Sequence, residues 1–311
     1  MTSILIKNLK TYYNTAGGPA RAVDDVSFSL ECGESIGIAG ESGCGKSTLG
    51  LSIVRATPEH STTTGEVILG EKSIFNLSKL EFTKNIRWKE ISMVFQGAMN
   101  SLDPVFTIEE QFVEVLKQHH FDGKYKEKIS EMVESVGLNQ DVLKKYPHEL
   151  SGGMKQRIVI AMALVLKPKF IIADEPTTAL DVLVQAQVIN LLKKLKKDGL
   201  SIMLITHDLG IISEIAEKIG IMYAGQIVEF GTASEVFKNS KHPYTQGLLK
   251  SIPRLKGDKI TNFIKGTPPS LINPPKGCRF RERCPQAMEK CKQDPINIKT
   301  DSGYVACWLY E

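Results

Sequence analysis

Aromatic residues are scarce in this 311-residue chain, at 7% with only two tryptophans, and long apolar runs are missing. The longest, Ile158 to Leu166, is closed by Arg157 and Lys167. It falls far short of the ~20 apolar residues that a bilayer core requires. The N-terminal segment carries Lys7 where a secretory signal would place its apolar stretch. Charge of one sign is also lacking, since 39 Lys and Arg face 35 Asp and Glu for a net of +4. That balance excludes the strongly basic domain expected of a nucleic-acid binder. The one dense basic run, Lys193, Lys194, Lys196 and Lys197, falls on an amphipathic helical pattern and reads as a solvated face. Six cysteines are too few for a disulfide-framework protein of this length. At 42% hydrophobic and 24% charged, the chain has the composition of a folded protein that builds a sizeable core without staples. A cytosolic location follows as the expectation, with contact to a membrane only by docking.

What is present is an alternation of short apolar runs and longer helical patterns. Ile36–Ala39, Phe170–Ala173 and Ile202–Thr206 are continuous rather than alternating, as strands buried on both faces are. Helical patterns follow at about 46–55, 182–197 and 208–217, which predicts an α/β sheet with helices on its faces. Between about 107 and 166 the pattern is almost all helical, with breaks at Gly123, Gly137 and Tyr146-Pro147-His148, and reads as a helical insert. Beyond a boundary near 238–242 the segment is punctuated by Pro243, Pro253, Pro268, Pro269, Pro274 and Pro275. Four of the six cysteines lie there, in what reads as a small C-terminal module.

Gly40-Glu-Ser42-Gly43-Cys44-Gly45-Lys46-Ser47 fits G-x-x-x-x-G-K-[ST], after a predicted strand and at the start of a predicted helix. Glycines let the backbone curl so that successive N–H groups, through Thr48, face phosphate oxygens, and the helix start adds its dipole. Lys46 is expected to neutralise the terminal phosphates of a nucleotide and the Ser47 hydroxyl to ligate Mg²⁺. Phe170-Ile-Ile-Ala-Asp174-Glu175 ends an apolar strand in two carboxylates at the edge where α/β sheets bind ligands. Asp174 suits Mg²⁺, and Glu175 suits a general base toward water. His207, just past the strand at Ile202, is expected at the same edge.

Leu150-Ser151-Gly152-Gly153-Met154-Lys155-Gln156-Arg157 resembles the signature motif of ATP-binding cassette (ABC) ATPases. It makes a second anion-ready helix start, one that cannot reach the first within a subunit. The resemblance implies that two subunits sandwich two ATP molecules, each between one P-loop and the other's signature. It further implies that Gln96 senses Mg²⁺ and the attacking water, that Ala179-Leu180-Asp181 is the D-loop, and that Tyr13 stacks on adenine. The resemblance covers about residues 1–239, with the helical subdomain at about 97–166. Within the family, Gln96-Gly-Ala-Met-Asn-Ser-Leu-Asp103-Pro104 and His242-Pro243-Tyr244-Thr245 resemble dipeptide/oligopeptide importer ATPases and their C-terminal extension, here residues 240–311. That subfamily usually has Asn where Asp103 stands. The resemblance implies an ATP-hydrolysing motor with a second, different ATPase subunit, two transmembrane permeases and an extracellular solute-binding protein, peripheral on the cytoplasmic face of the cell membrane. Relatives carry peptides, sugars or nickel. Soluble ABC proteins of chromosomes or ribosomes fit less well, because only about a hundred residues separate Lys46 from Ser151 and one cassette is present. A non-hydrolysing cassette is disfavoured by the intact Lys46, Asp174, Glu175 and His207.

Cys32 and Cys44 stand apart and read as small packing residues. Cys278, Cys284, Cys291 and Cys307 form C-x5-C-x6-C-x15-C. Tight C-x2-C pairs typical of zinc ribbons are absent, and Cys284-Pro285 resembles the end of an iron–sulfur ligand run. A [4Fe–4S] cluster, a zinc ion, and disulfides or free thiols all remain open; the family resemblance favours the cluster. Arg279, Arg281 and Arg283 interleave the first two cysteines and suggest either a charge near such a cluster or an exposed basic rim.

Overall fold

In a computed structural model the described residues are 2–251 and 264–311. Pro253, one of the prolines that punctuate the C-terminal segment, lies outside them. The central sheet has eight strands, ordered Ile298–Lys299, Tyr304–Val305, Gln226–Thr232, Lys218–Tyr223, Ser35–Ala39, Ser201–Ile205, Phe170–Asp174 and Ile91–Val94. From Lys218–Tyr223 to Ile91–Val94 neighbouring strands run parallel, and the remaining pairs are antiparallel. Ser35–Ala39, Phe170–Asp174 and Ser201–Ile205 are buried at every position, which is why their apolar residues run on without alternating.

A second, antiparallel sheet orders Gly18–Glu31, Thr2–Thr15, Ser61–Leu69 and Lys72–Ser73. Helix Lys46–Ile53 lies in the core between this sheet and one face of the central sheet, with Leu49 and Ile53 buried beside Ile6, Ile172 and Ile205. Gly50 lets the helix approach, since a Cβ there would stand 3.1 Å from Ile205 and from Met93. The other face of the central sheet packs on Val182–Lys197 and Leu209–Ile215 and runs into the core of the helical insert.

The insert contains helices Ile108–Gln118, Tyr125–Ser135 and Gly152–Leu164. Thr107 opens the first with a capping box, its hydroxyl accepting from the Glu110 N–H while the Glu110 carboxylate accepts from the Thr107 N–H. The described chain beyond residue 239 packs back onto the central sheet. Helix Pro243–Lys250 is capped by His242, and Tyr304–Val305 joins the central sheet beside Gln226–Thr232. The basic helical run behaves as a solvated face with two ties, Lys193 to Glu214 and Lys196 to Glu217.

Two expectations need correction. Cys32 does not pack inside; it sits exposed in the turn between Gly18–Glu31 and Ser35–Ala39, where the chain reverses outside both sheets. Nor do the interleaved arginines form a basic rim. Arg279 is buried against Asp24 and donates to the Ala224 carbonyl, and Arg283 is buried against Glu41. Only Arg281 stays at the surface, donating to the Lys276 carbonyl. The cation that Arg279 and Arg283 each bring inward is matched by a carboxylate from the first fifty residues, Asp24 and Glu41.

Candidate active site

The loop between Ser35–Ala39 and helix Lys46–Ile53 curls as its glycines require. Gly40 and Gly45 take φ of +154° and +108°, and a Cβ on them would stand 2.1 Å from the Met222 carbonyl oxygen and 1.9 Å from that of Ala22. Lys46 is 7% exposed, and its Nζ donates to the carbonyls of Gly40 at 2.9 Å and Glu41 at 3.0 Å. The Cys44 thiol is buried, and burial pushes its pKa up, so it packs as a neutral side chain.

Asp174 ends the adjacent strand. It is 2% exposed, and its Oδ1 has no hydrogen-bond partner. Burial pushes its carboxyl up, against a hydrogen bond from Ser47 that pulls it down. A buried, unpartnered carboxylate oxygen beside a hydroxyl is a hard-oxygen donor set that fits Mg²⁺.

Glu175 follows in the left-handed region, at φ 46°, with its N–H donating to Ile205 at 2.8 Å. One carboxylate oxygen accepts from Thr178 at 2.7 Å and from Gln96 at 3.4 Å; the other meets His207 Nδ1 at 3.0 Å. Burial works to raise this carboxyl, but the hydrogen bonds from His207 and Thr178 outweigh it and hold the group below the usual glutamate range. Glu175 is therefore an ionised acceptor at neutral pH, placed to take a proton from water.

Tyr13, Ser42, Lys46, Ser47, Gln96 and Glu175 share one cavity of about 280 Å³. The Tyr13 hydroxyl stands 3.1 Å from that of Thr48, whereas neighbouring Tyr12 turns away and bonds Asp24. A larger cavity of about 640 Å³, near Cys32, Pro168 and Leu200, holds none of the site residues.

Ser151, Gly152, Gly153 and Asp181 do not line the 280 Å³ cavity. Ser151 caps helix Gly152–Leu164, accepting from Met154 at 3.3 Å, and both Ser151 and Gly152 are exposed. Asp181 caps helix Val182–Lys197 through the Val184 N–H at 2.9 Å. The two helix starts touch: a Cβ on Gly153 would stand 2.3 Å from Val184.

The four C-terminal cysteines line one small cavity of about 10 Å³ together with His242, and none of them is in a disulfide. Burial pushes Cys278 up to about 11, and raises Cys284 and Cys307 as well. The His242 ring accepts from Tyr244 on Nδ1, while its buried Nε2 has no partner. Among the described residues no three His, Cys, Asp or Glu side chains stand as ready ligands of a metal ion. The donor types suit a metal, but the cavity is no larger than a water needs, so the thiols would have to part to admit one.

The ABC transporter family matches residues 23–178, and the oligopeptide/dipeptide transporter C-terminal region matches residues 228–291. The dipeptide transport ATP-binding protein DppD of Bacillus subtilis is 44% identical over 98% of this chain and 94% of its own length. The chain belongs to the ABC ATPase family. The oligopeptide transport ATP-binding proteins AppD and AppF of the same organism are 46% and 41% identical, covering 100% and 99% of this chain and 97% and 98% of theirs. A dimeric ATP-binding cassette, MJ0796, solved in a post-hydrolysis state with ADP and Pi, superposes with a TM-score of 0.66 at 29% identity, over 74% of this chain and 98% of that one.

Beyond the motifs, this ABC ATPase adds residues to the site that sequence reasoning missed. Thr178 is a hydroxyl within the run Thr177-Thr178 after Glu175, a signal that was available. Leu271 also lines the cavity, carried there by a bridge between Ala20 and Ile272 and by the Arg21 N–H donating to its carbonyl at 2.9 Å. Nothing local in the sequence marks it.

Proposed function

We propose that this chain is the ATP-binding and ATP-hydrolysing subunit of an ABC importer for dipeptides or oligopeptides. The observation that carries the catalytic part is Glu175, ionised and cornered by Gln96, Thr178 and His207 at the mouth of the Lys46 loop. Tyr13 packs on adenine. The backbone of Gly40 to Thr48 wraps the phosphates, and Lys46 neutralises the outer two. Ser47, Asp174 and Gln96 would hold Mg²⁺, which supplies charge neutralisation on the phosphates when bound. Glu175 takes the proton of the attacking water, with Gln96 and His207 orienting water and terminal phosphate. Ser151, Gly152, Gly153 and Asp181 serve the nucleotide of a partner ATPase.

The peptide cargo is supported by relatives named for dipeptide and oligopeptide transport, and by the match of the C-terminal region. Two such ATP-binding proteins of one organism, AppD and AppF, support a partner that is a different chain. The same reading supplies two permeases and an extracellular solute-binding protein, and places residues 1–239 as the cassette and 240–311 as the extension. Among the described residues no helix is long and apolar enough to cross a membrane, so attachment to the cytoplasmic face rests on the permeases.

Gentle solubilisation of native membranes with the chain tagged tests the assembly. Two permeases, a second ATPase and a peptide-loaded binding protein are expected. A sugar or metal cargo overturns the substrate, and recovery without any membrane protein overturns the transporter.

The reading extends to the cysteines: Cys278, Cys284, Cys291 and Cys307 hold a [4Fe–4S] cluster. Four thiols around one cavity, two of them buried and two half-buried, support it, and the partnerless His242 Nε2 at the same cavity offers a donor to a sulfur. Iron, sulfide and a visible absorption band are expected in anaerobically purified protein. Stoichiometric zinc, or no metal, overturns the assignment.

A further inference from the structure

Glu41 is the only acidic residue of the Gly40–Ser47 loop. It is gripped from the far end of the chain. Its N–H donates to the Tyr244 hydroxyl at 2.9 Å. Its carboxylate takes both prongs of Arg283, Nη1 to Oε2 at 2.8 Å and Nη2 to Oε1 at 2.9 Å. The Arg283 side chain is 7% exposed, and that of Glu41 24%. The fork is itself fixed, with Nη1 also donating to the Tyr223 hydroxyl at 3.1 Å and Nε to the Lys265 carbonyl at 3.0 Å. On the opposite side, the Glu41 carbonyl accepts from Lys46 Nζ at 3.0 Å. Ser42 and Gly43 line the nucleotide cavity, while Glu41 does not.

The arrangement answers an electrostatic problem. A nucleotide triphosphate brings several negative charges to this loop, and a free carboxylate within the loop would repel them. A bidentate guanidinium neutralises that carboxylate and fixes its direction. We propose that Arg283 is a positioning residue for nucleotide binding: it neutralises Glu41 and holds its carboxylate out of the phosphate cavity. The proposal rests on the reading of that cavity as an ATP site. It gives residues beside the cysteine module a task in the cassette, whatever the cysteines hold.

The test is titration of the full-length chain with a fluorescent ATP analogue, at low and at high salt, with thermal unfolding followed in parallel. Arg283→Gln is expected to weaken binding about tenfold at low salt, the effect of one unneutralised charge near the phosphates. High salt should shrink that deficit in part, because Glu41 is partly exposed and its repulsion is partly screened. Adding Glu41→Gln to Arg283→Gln should recover most of the affinity, although no ion pair is restored. A link that is merely structural gives the opposite: the double variant binds no better than Arg283→Gln, and salt leaves the deficit in place. Either result overturns the proposal, as does wild-type affinity in Arg283→Gln at low salt. Should Arg283→Gln not fold, Arg283→Lys decides, since it keeps the charge and loses the fork. Affinity within about threefold of wild type supports neutralisation, and a tenfold loss overturns it. Failure of the wild-type chain to bind the analogue at all would instead remove the ATP reading on which the proposal stands.

Discussion

Two glycine-rich helix starts in this chain are built for anions, and they differ in enclosure. The one before Lys46 is sunk between two sheets. Its glycines approach the Met222 and Ala22 carbonyls too closely for a Cβ, and its lysine is buried. The one at Ser151 is exposed, carries its lysine, Lys155, only at the fourth helical position rather than the first, and lines no part of the nucleotide cavity. The first carries its counter-charge, its candidate Mg²⁺ oxygens and its candidate base within one chain. The second offers N–H groups, a dipole and the Ser151 hydroxyl, with no carboxylate among them. A complete site and an open donor surface on the same molecule match the proposed pairing, in which each chain would lend its open helix start to another's closed one.

The comparison is broken most sharply by Glu175→Gln. Hydrolysis in the assembled transporter should fall by about 10²–10⁴, the usual share of a general base, while nucleotide binding persists. Turnover near wild type would remove Glu175 from the base role. Lys46→Ala comes next. Loss of a charge-assisted hydrogen bond worth about 1.5–3 kcal/mol should weaken nucleotide binding by at least about tenfold, read by titration.

A third helix start, at His242, sharpens the contrast because its cap needs a neutral ring. Nδ1 accepts from the Tyr244 N–H, so protonation there removes the acceptor. Burial lowers the His242 pKa to about 3, against an unfolded value of about 6.5. Below that unfolded value the unfolded chain binds a proton that the folded chain refuses. Stability from this group is therefore full above about pH 6.5 and is lost as pH falls toward 3, at up to about 1.4 kcal/mol per pH unit. Urea unfolding across that window should show the slope, and His242→Asn, which keeps a capping acceptor, should flatten it.

The smallest effect is expected at the open start itself. Ser151→Ala removes an N-cap and should cost about 1 kcal/mol of stability. In the isolated chain nucleotide affinity should stay unchanged, while hydrolysis in the paired assembly falls. Weakened affinity in the isolated chain would show that the two starts are not separate.

Much of this was legible in the sequence, for reasons that differ by region. Ser35–Ala39, Phe170–Asp174 and Ser201–Ile205 announce themselves because strands buried on both faces need unbroken apolar runs. The loop before Lys46 is legible because close backbone approach admits only glycine at fixed spacings. Tyr13 and Tyr12 show what strand alternation decides: neighbouring rings take opposite faces, and the face that meets the cavity, Tyr13's, is set only by how the sheet packs. The roles of Arg279, Arg283 and Leu271 were not legible. Their partners, Asp24, Glu41 and Arg21, lie more than two hundred positions away, and no periodicity connects them. Cys32 misleads for a simpler reason, since a cysteine's usual burial says nothing of a turn that lies outside both sheets.

The distance in sequence between Glu41 and Arg283 also sets a schedule for synthesis. When the first half of the cassette leaves the ribosome, its phosphate loop has its glycines and its lysine but not the guanidinium that grips Glu41. The edge of Gln226–Thr232 is likewise open until Tyr304–Val305 emerges to cover it. A nascent chain therefore passes through an interval with an exposed strand edge and an unbalanced acid in its most glycine-rich loop, the kind of surface that aggregates or attracts chaperones. Completion of the last strand closes the edge at nearly the same moment as the arginine arrives. The sheet edge and the glycine-rich loop are thus completed together, only once the residues up to Val305 have emerged.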